Sequence, residues 1–202
     1  MSYIRSSSHS IKFANKGKRE AYRDFREQYR IAVNFYVDIL WNQIGEDYKL
    51  PKYMNNTGLK PDGTKLYARA LKCAAGQANG AVKAVIRKNQ KIVYGNKKYG
   101  SKNKLRTVTK PYFKNIDPEL NSICAKYIES DGVEFDGYIE LHSLGKDYGK
   151  IYIPLKHHRH SNKLKKKGEM MNSFLLSDNS INLRFKIKKP EKKMGGRVVG
   201  ID

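Results

Sequence analysis

The sequence is poor in cysteine, acid and long apolar runs, and each shortage closes off a class of protein. Its two cysteines, Cys73 and Cys124, are not in a Cys-x-x-Cys pair, so neither a disulfide framework nor a zinc ribbon is expected; both read as buried thiols. No stretch approaches the roughly 18 consecutive apolar residues that cross a bilayer. The opening residues Met1 to Ser10 lack the apolar core of a signal peptide. A soluble protein without a membrane partner is expected, cytoplasmic in a prokaryotic or phage-infected cell. There is no Gly-x-x-x-x-Gly-Lys-Ser/Thr loop, no Gly-x-Ser-x-Gly elbow and no His-Glu-x-x-His. Apolar residues, counted with Gly and without Tyr, make up about 40% of the chain, below the roughly 45–50% of ordinary domains, so the core should be modest.

What the chain has instead is positive charge. Over 202 residues, 41 Lys and Arg stand against 19 Asp and Glu, a formal net charge of +22. Such an excess calls for a polyanionic partner, and its distribution is informative. From Arg87 to Lys114 there are ten basic residues and no acid; from Asn115 to Lys150, eight acids face three lysines; from Ile151 to Lys193, twelve basic residues face three acids. Two separated cationic blocks fit a protein that grips phosphates at two places. The acidic stretch between them would keep nucleic acid off one face or pair with the basic helices.

Periodicity divides the chain. Ser8 to Ala14, with Ile11 and Phe13 on one side, predicts a short strand broken by Asn15, Lys16 and Gly17. Between Lys18 and Ile44, Tyr22, Phe25, Tyr29, Ala32, Val33, Tyr36, Val37, Leu40 and Ile44 recur at helical spacing, while Arg19, Arg23, Arg26 and Arg30 share another face; Trp41 reads as core and Gly45 as the stop. Glu46 to Gly63 is dense in turn formers and reads as a loop. Thr64 is a candidate cap for a second helix reaching about Tyr94, packed through Leu66, Ala70, Ala74, Ala78, Val82 and Val85. Its small residues permit close approach of a helix or of a nucleic-acid backbone.

After Pro118 the period changes to two. Tyr138 to Leu144 and Lys150 to Leu155 predict one hairpin, and Asn172 to Leu176 with Ile181 to Lys188 a second. In the last strand Ile181, Leu183, Phe185 and Ile187 face the core, and Arg184, Lys186 and Lys188 form a cationic ladder on the other side. Between the hairpins, Lys156 to Lys167 (KHHRHSNKLKKK) predicts a basic loop able to follow a phosphate backbone. Adjacent His157, His158 and His160 do not converge easily on one ion, so they are expected to make polar contacts. Asp131, Glu134 and Asp136 are close enough in sequence for an acid–base pair, though a solvated turn is the simpler expectation.

The chain ends on Met194, Gly195, Gly196 and then Arg197 to Asp202, an apolar strand finishing in a carboxylate. A short strand, a helical block opening on a Tyr-rich helix, hairpins around a basic segment, a Gly linker and Val198 to Asp202 (VVGID) together resemble the N-terminal half of transposon-encoded TnpB nucleases. Compact type V CRISPR effectors and Fanzor proteins share that plan. The resemblance covers the whole chain in order of elements, and its short motif is VVGID.

It implies an α+β fold: a wedge domain, a small OB-like β-barrel built from residues 1–17 and 116–193, interrupted by a helical recognition domain at 18–115 and followed at 194–202 by the first strand of a RuvC domain. The implied partners are a structured guide RNA, target DNA with a short flanking motif, and the missing nuclease half. Lys156, His157, Arg159, Lys163, Lys165, Lys166, Lys167, Arg184, Lys186 and Lys188 would meet RNA. Arg19, Arg23, Arg26, Arg30, Arg87, Lys88, Lys91, Lys97, Lys98, Lys102, Lys104 and Arg106 would meet duplex or DNA. Asp202 would be catalytic only if completed by a RuvC domain. Full-length relatives are Mg²⁺-dependent nucleases; the later RuvC motifs and the four-Cys zinc segment are missing here, so no cofactor and no complete nuclease site are expected. Two alternatives stand beside this: a self-sufficient RNA- or DNA-binding regulator, such as a repressor or RNA chaperone, and an enzyme using the acidic patch.

Overall fold

A computed structural model describes residues 2–44, 59–99 and 107–188. The chain is α+β. A first strand, β1 (Ser2–Ser10), leads into α1 (Lys16–Trp41) and α2 (Ala68–Tyr99). Then come β2 (Glu119–Asn121), β3 (Ala125–Glu129), β4 (Gly137–Leu141), β5 (Ile151–Leu155), α3 (Arg159–Lys167), β6 (Gly168–Leu176) and β7 (Ser180–Lys188).

Helix α1 buries the stripe from Tyr22 to Leu40 as predicted, but it ends at Trp41, so Ile44 lies beyond it and is half-buried. Asn15 does not break the chain but caps the helix, its Oδ1 accepting from the Lys18 N–H at 2.9 Å. The tyrosines answer a particular need. A buried ring adds apolar area while its hydroxyl requires a partner. Tyr22 donates to the Ser177 carbonyl at 2.6 Å, at the β6–β7 turn; Tyr29 donates to Gln77 Oε1 of α2 at 3.0 Å; Tyr36 donates to the Leu59 carbonyl at 2.9 Å. One helix face is thereby bonded to three other segments.

Helix α2 packs on α1 through Ala70, Leu71, Ala74, Ala75, Ala78, Val82 and Ile86. Helix packing thus takes up the buried alanines. The helix starts after Thr64 because Leu66 bridges to Gly145 and the Tyr67 N–H bonds the Leu144 carbonyl, drawing those residues into a sheet-like contact. Ile86 takes the buried position expected of Val85, which is half-buried, and the helix continues past Tyr94 to Tyr99.

The strands form two antiparallel sheets, ordered β1-β7-β6-β2 and β3-β4-β5. Both predicted hairpins are present, β4 with β5 and β6 with β7. Among the described residues no barrel closes; β6 is irregular between Met170 and Phe174, and the second sheet pairs only within itself. Strand β1 runs from Ser2 to Ser10 rather than from Ser8 to Ala14, paired with β7 from Ser2↔Lys188 to Ser10↔Ser180. The helices therefore leave from and return to the same sheet. Ile11 lies just beyond β1, buried in the common core, with its N–H on the Asn179 carbonyl at 3.1 Å.

The connector from 107 to 119 is extended and is strapped to the helices by side-chain amides. Asn89 and Asn34 each exchange two hydrogen bonds with the backbone, at Val108 and at Phe113 respectively. Gln77 Oε1 accepts from the Glu119 N–H and its Nε2 donates to the Asp117 carbonyl. Buried backbone groups outside a sheet need such partners.

Candidate nucleic-acid interface

Lys156 to Lys167 is not a loop. Its greater part is the nine-residue helix α3, held on the sheet by Ser161 and Leu164, the two positions it buries. Lysines are good helix formers, and Lys165, Lys166 and Lys167 in the last turn face the negative end of the helix dipole. The helix runs directly into β6 at Gly168. A Cβ there would lie 2.4 Å from the Lys186 carbonyl oxygen, so only glycine lets the chain turn so close to β7.

A histidine cluster seats the start of α3 on β1. His9 is buried; its Nδ1–H donates to the Lys156 carbonyl at 3.1 Å, and its Nε2 accepts from the Ser7 hydroxyl at 3.2 Å. Burial drives its pKa down from 6.5 to about 4. His158 stacks on His9 at 5.0 Å, donates to the Ser8 carbonyl and accepts the Ser161 N–H as the cap of α3. His157 contacts the Tyr127 hydroxyl and the Ser161 hydroxyl, and its backbone N–H donates to Asp136 Oδ2 at 2.7 Å. Burial lowers the His157 pKa too. Half-buried, His157 thus helps to seat the helix.

Asp136 serves this seat, while Asp131 and Glu134 are exposed on the β3–β4 turn. Among the described residues no group of three His, Cys, Asp or Glu is placed to hold a metal. Cys124 is buried, whereas Cys73 is half-buried and opens onto a cleft between α2 and β2. Trp41 packs against the core.

The structure sorts the cations into two kinds. Some are used by the fold. Lys165 pairs with Glu129 at 2.9 Å and lies over the Tyr127 ring; Arg184 pairs with Glu119. Arg26 bonds Asp117 and Asp178, and Arg30 bonds Glu27 and the Phe113 carbonyl. Acids of the 115–150 segment thus pair with basic residues from distant parts of the chain. Lys156 lies over the rings of Phe13 and Phe135.

Others have no carboxylate partner among the described residues: Arg5, Arg159, Lys163, Lys166, Lys167, Lys186 and Lys188 around α3 and β1, and Arg19, Arg23, Arg87, Lys88, Lys91 and Lys97 on the two long helices. Lys98 lies over the Tyr94 ring. Lys102, Lys104, Arg106 and Asp202 lie outside the described residues, as do Gly195 and VVGID.

A groove of about 520 Å³ runs between β1 and α3, lined in part by Tyr3, Arg5, His160, Lys163 and Lys167, with no carboxylate on its walls. Strand alternation puts Lys186 and Lys188 on the opposite face of the sheet from Ile187, which lines the groove. The two cation sets expected to meet RNA therefore lie on the two faces of one sheet, on either side of its β1 edge. Arg5 carries no signal in the sequence: it is a lone cation in a serine-rich segment, and the pairing of β1 with β7 brings it beside α3.

On α1, Arg23 and Arg26 share a small cleft of about 230 Å³ with Glu27, Arg30 and Asp178, yet they differ in duty. Arg26 to Ala removes hydrogen bonds that tie α1 to the connector and the β6–β7 turn. It is expected to cost about 1–3 kcal/mol of stability, a melting temperature about 2–12 °C lower, with little change in nucleic-acid affinity. Arg23 to Ala is expected to leave the melting temperature unchanged and to weaken duplex binding. Thermal melts and fluorescence anisotropy on the two variants check the division.

Compared with known proteins, the chain matches no family model and no curated protein sequence.

Proposed function

We propose that the chain is the nucleic-acid-binding portion of an RNA-guided, DNA-targeting protein of the TnpB kind, with its sheets and α3 in the role of the wedge and its long helices in the role of the recognition domain. The single observation that carries this is the acid-free groove between β1 and α3. Three of its cations, Arg5, Lys163 and Lys167, are left unneutralised by a fold that pairs Lys165, Arg184, Arg26 and Arg30 elsewhere. In this proposal a structured guide RNA lies along α3 and around the β1 edge toward Lys186 and Lys188. The guide–target duplex and flanking DNA meet the exposed face of α2 at Arg87, Lys88 and Lys91, which recur at spacings of three and four.

Asp202 belongs to this proposal as the first carboxylate of a RuvC-type Mg²⁺ site whose other ligands come from elsewhere. The described residues do not fit such a site, and no cleavage step is assigned to them.

The test is to sequence the RNA that co-purifies with the chain expressed from its own locus. A discrete, folded transcript is expected, and DNA complementary to its unstructured end should bind the complex. Random cellular RNA would contradict the proposal; a discrete transcript that recruits no DNA would mark a self-sufficient RNA-binding regulator instead.

A further inference from the structure

We infer that the groove between β1 and α3 receives an unpaired stretch of RNA, with one base on the Tyr3 ring and the neighbouring phosphates on Arg5, Lys163 and Lys167. This rests on the guide-RNA proposal and specifies which part of such an RNA meets the surface.

Four observations converge. First, the charge is one-sided, with three cations and no acid on the walls. Second, Tyr3 is 38% exposed although large and aromatic, and the Arg5 guanidinium lies 5.4 Å from its ring centroid. A tyrosine braced in this way by an arginine presents a stacking platform for a base, and bases stack on such rings with little regard for sequence. Third, about 520 Å³ is the size of a small-ligand cleft, room for a nucleotide or two but not for a duplex, whose bases are already stacked on each other.

Fourth, β1 is the edge of its sheet, bonded only to β7, so alternate residues turn their N–H and C=O groups away from the ladder. These groups can bond the edge of an unpaired base. A strand that touches Lys186 and Lys188 on one face and Lys163 on the other must also pass this edge. The exposed Ser2 and Ser6 of β1 flank the crossing, with the exposed Ile4 between them.

The test uses the 202-residue chain and two labelled RNAs, a U-rich decanucleotide carrying one 2-aminopurine and a closed hairpin. The expected result is that the wild type binds both and quenches the 2-aminopurine. Tyr3→Ala should lose about tenfold in affinity for the decanucleotide, together with the quench, and keep its affinity for the hairpin. Tyr3→Phe should restore affinity and quench, which a role in hydrogen bonding or folding would not. Arg5→Ala should reduce the log–log salt slope for the decanucleotide by about 0.7.

The inference is overturned if Tyr3→Ala changes nothing or if it weakens both RNAs equally. Should the wild type bind the hairpin and not the single strand, only the groove assignment fails. Should it bind neither, the guide-RNA proposal fails with it.

Discussion

Changing Lys163, Lys166 and Lys167 together to Ala is expected to weaken binding of a folded RNA by about 100-fold at physiological salt and to reduce the log–log salt slope by about 2. Each phosphate neutralised on a single strand contributes about 0.7 to that slope, and about as many decades of affinity near 0.1 M salt, so three contacts give both figures. The variant should fold normally. All three lysines are exposed, none has a carboxylate partner among the described residues, and Ala is a better helix former than Lys. Lys165→Ala is the internal control: that ammonium is held by Glu129, so its loss should leave the slope unchanged while freeing the carboxylate. Anisotropy titrations across a range of KCl read both variants. Equal effects of Lys165→Ala and of a single Lys163→Ala would show that the ion pairs within the fold do not divide the cations as described.

Acid should loosen the seat of α3. The folded-state pKa of His9 is depressed from 6.5 to about 4, so between these values the unfolded chain takes up a proton that the folded chain refuses. Its contribution is present in full above pH 6.5, declines as pH falls toward 4, and changes no further below that. At about 1.4 kcal/mol per pH unit, the loss across the window is about 3 kcal/mol. For a chain of this size that corresponds to a melting temperature about 6–12 °C lower.

His157 acts in the same direction, its pKa lowered first by burial and then by Lys165, against the opposing pull of Asp136 and Glu129. A charged His9 would also meet His158, stacked 5.0 Å away, and His157, 5.3 Å away edge-on. Carboxylates titrate at the lower end of the same window, so the informative quantity is a difference. His9→Gln should remove about 3 kcal/mol of the pH dependence seen in urea unfolding between pH 6.5 and 4. Parallel curves for the two proteins would show that His9 is free to take its proton in the folded state.

The parts of the fold legible in the sequence are those in which burial repeats with a period. Tyr22 to Leu40 recur every three or four residues because one helix face is wholly enclosed, and Ile181 to Ile187 alternate because one sheet face is. Strand β1 is not legible at its true position because its inward residues, Ser7 and His9, are polar; they are buried as members of a hydrogen-bonded cluster, which leaves no apolar alternation to read. Helix α3 reads as a loop in sequence because a single leucine and a serine anchor it.

The available cations are the least legible feature of the sequence. Net charge and blocks of charge are properties of the chain, but which ammonium or guanidinium remains available depends on partners far along it. Arg26 meets Asp178 across 152 positions, and Lys165 meets Glu129 across 36. Lys165, Arg184, Arg26 and Arg30, all expected to touch nucleic acid, are paired with carboxylates of the fold, while Arg5, in a run of serines, faces the groove. The twofold division of positive charge along the chain does have a counterpart in space, one group around α3 and β1 and the other along α2.

The most direct measurement is a competition. The purified chain is loaded with its co-purifying transcript at near-cellular ionic strength and challenged with heparin, while the bound RNA is followed by filter retention. If the groove and the β1 edge clasp a folded ribonucleotide strand, the transcript should survive heparin at equal charge concentration, and the variant lacking Lys163, Lys166 and Lys167 should release it. Displacement of the transcript from the wild type by heparin as readily as from that variant would reduce the surface to a generic polycation and contradict the account.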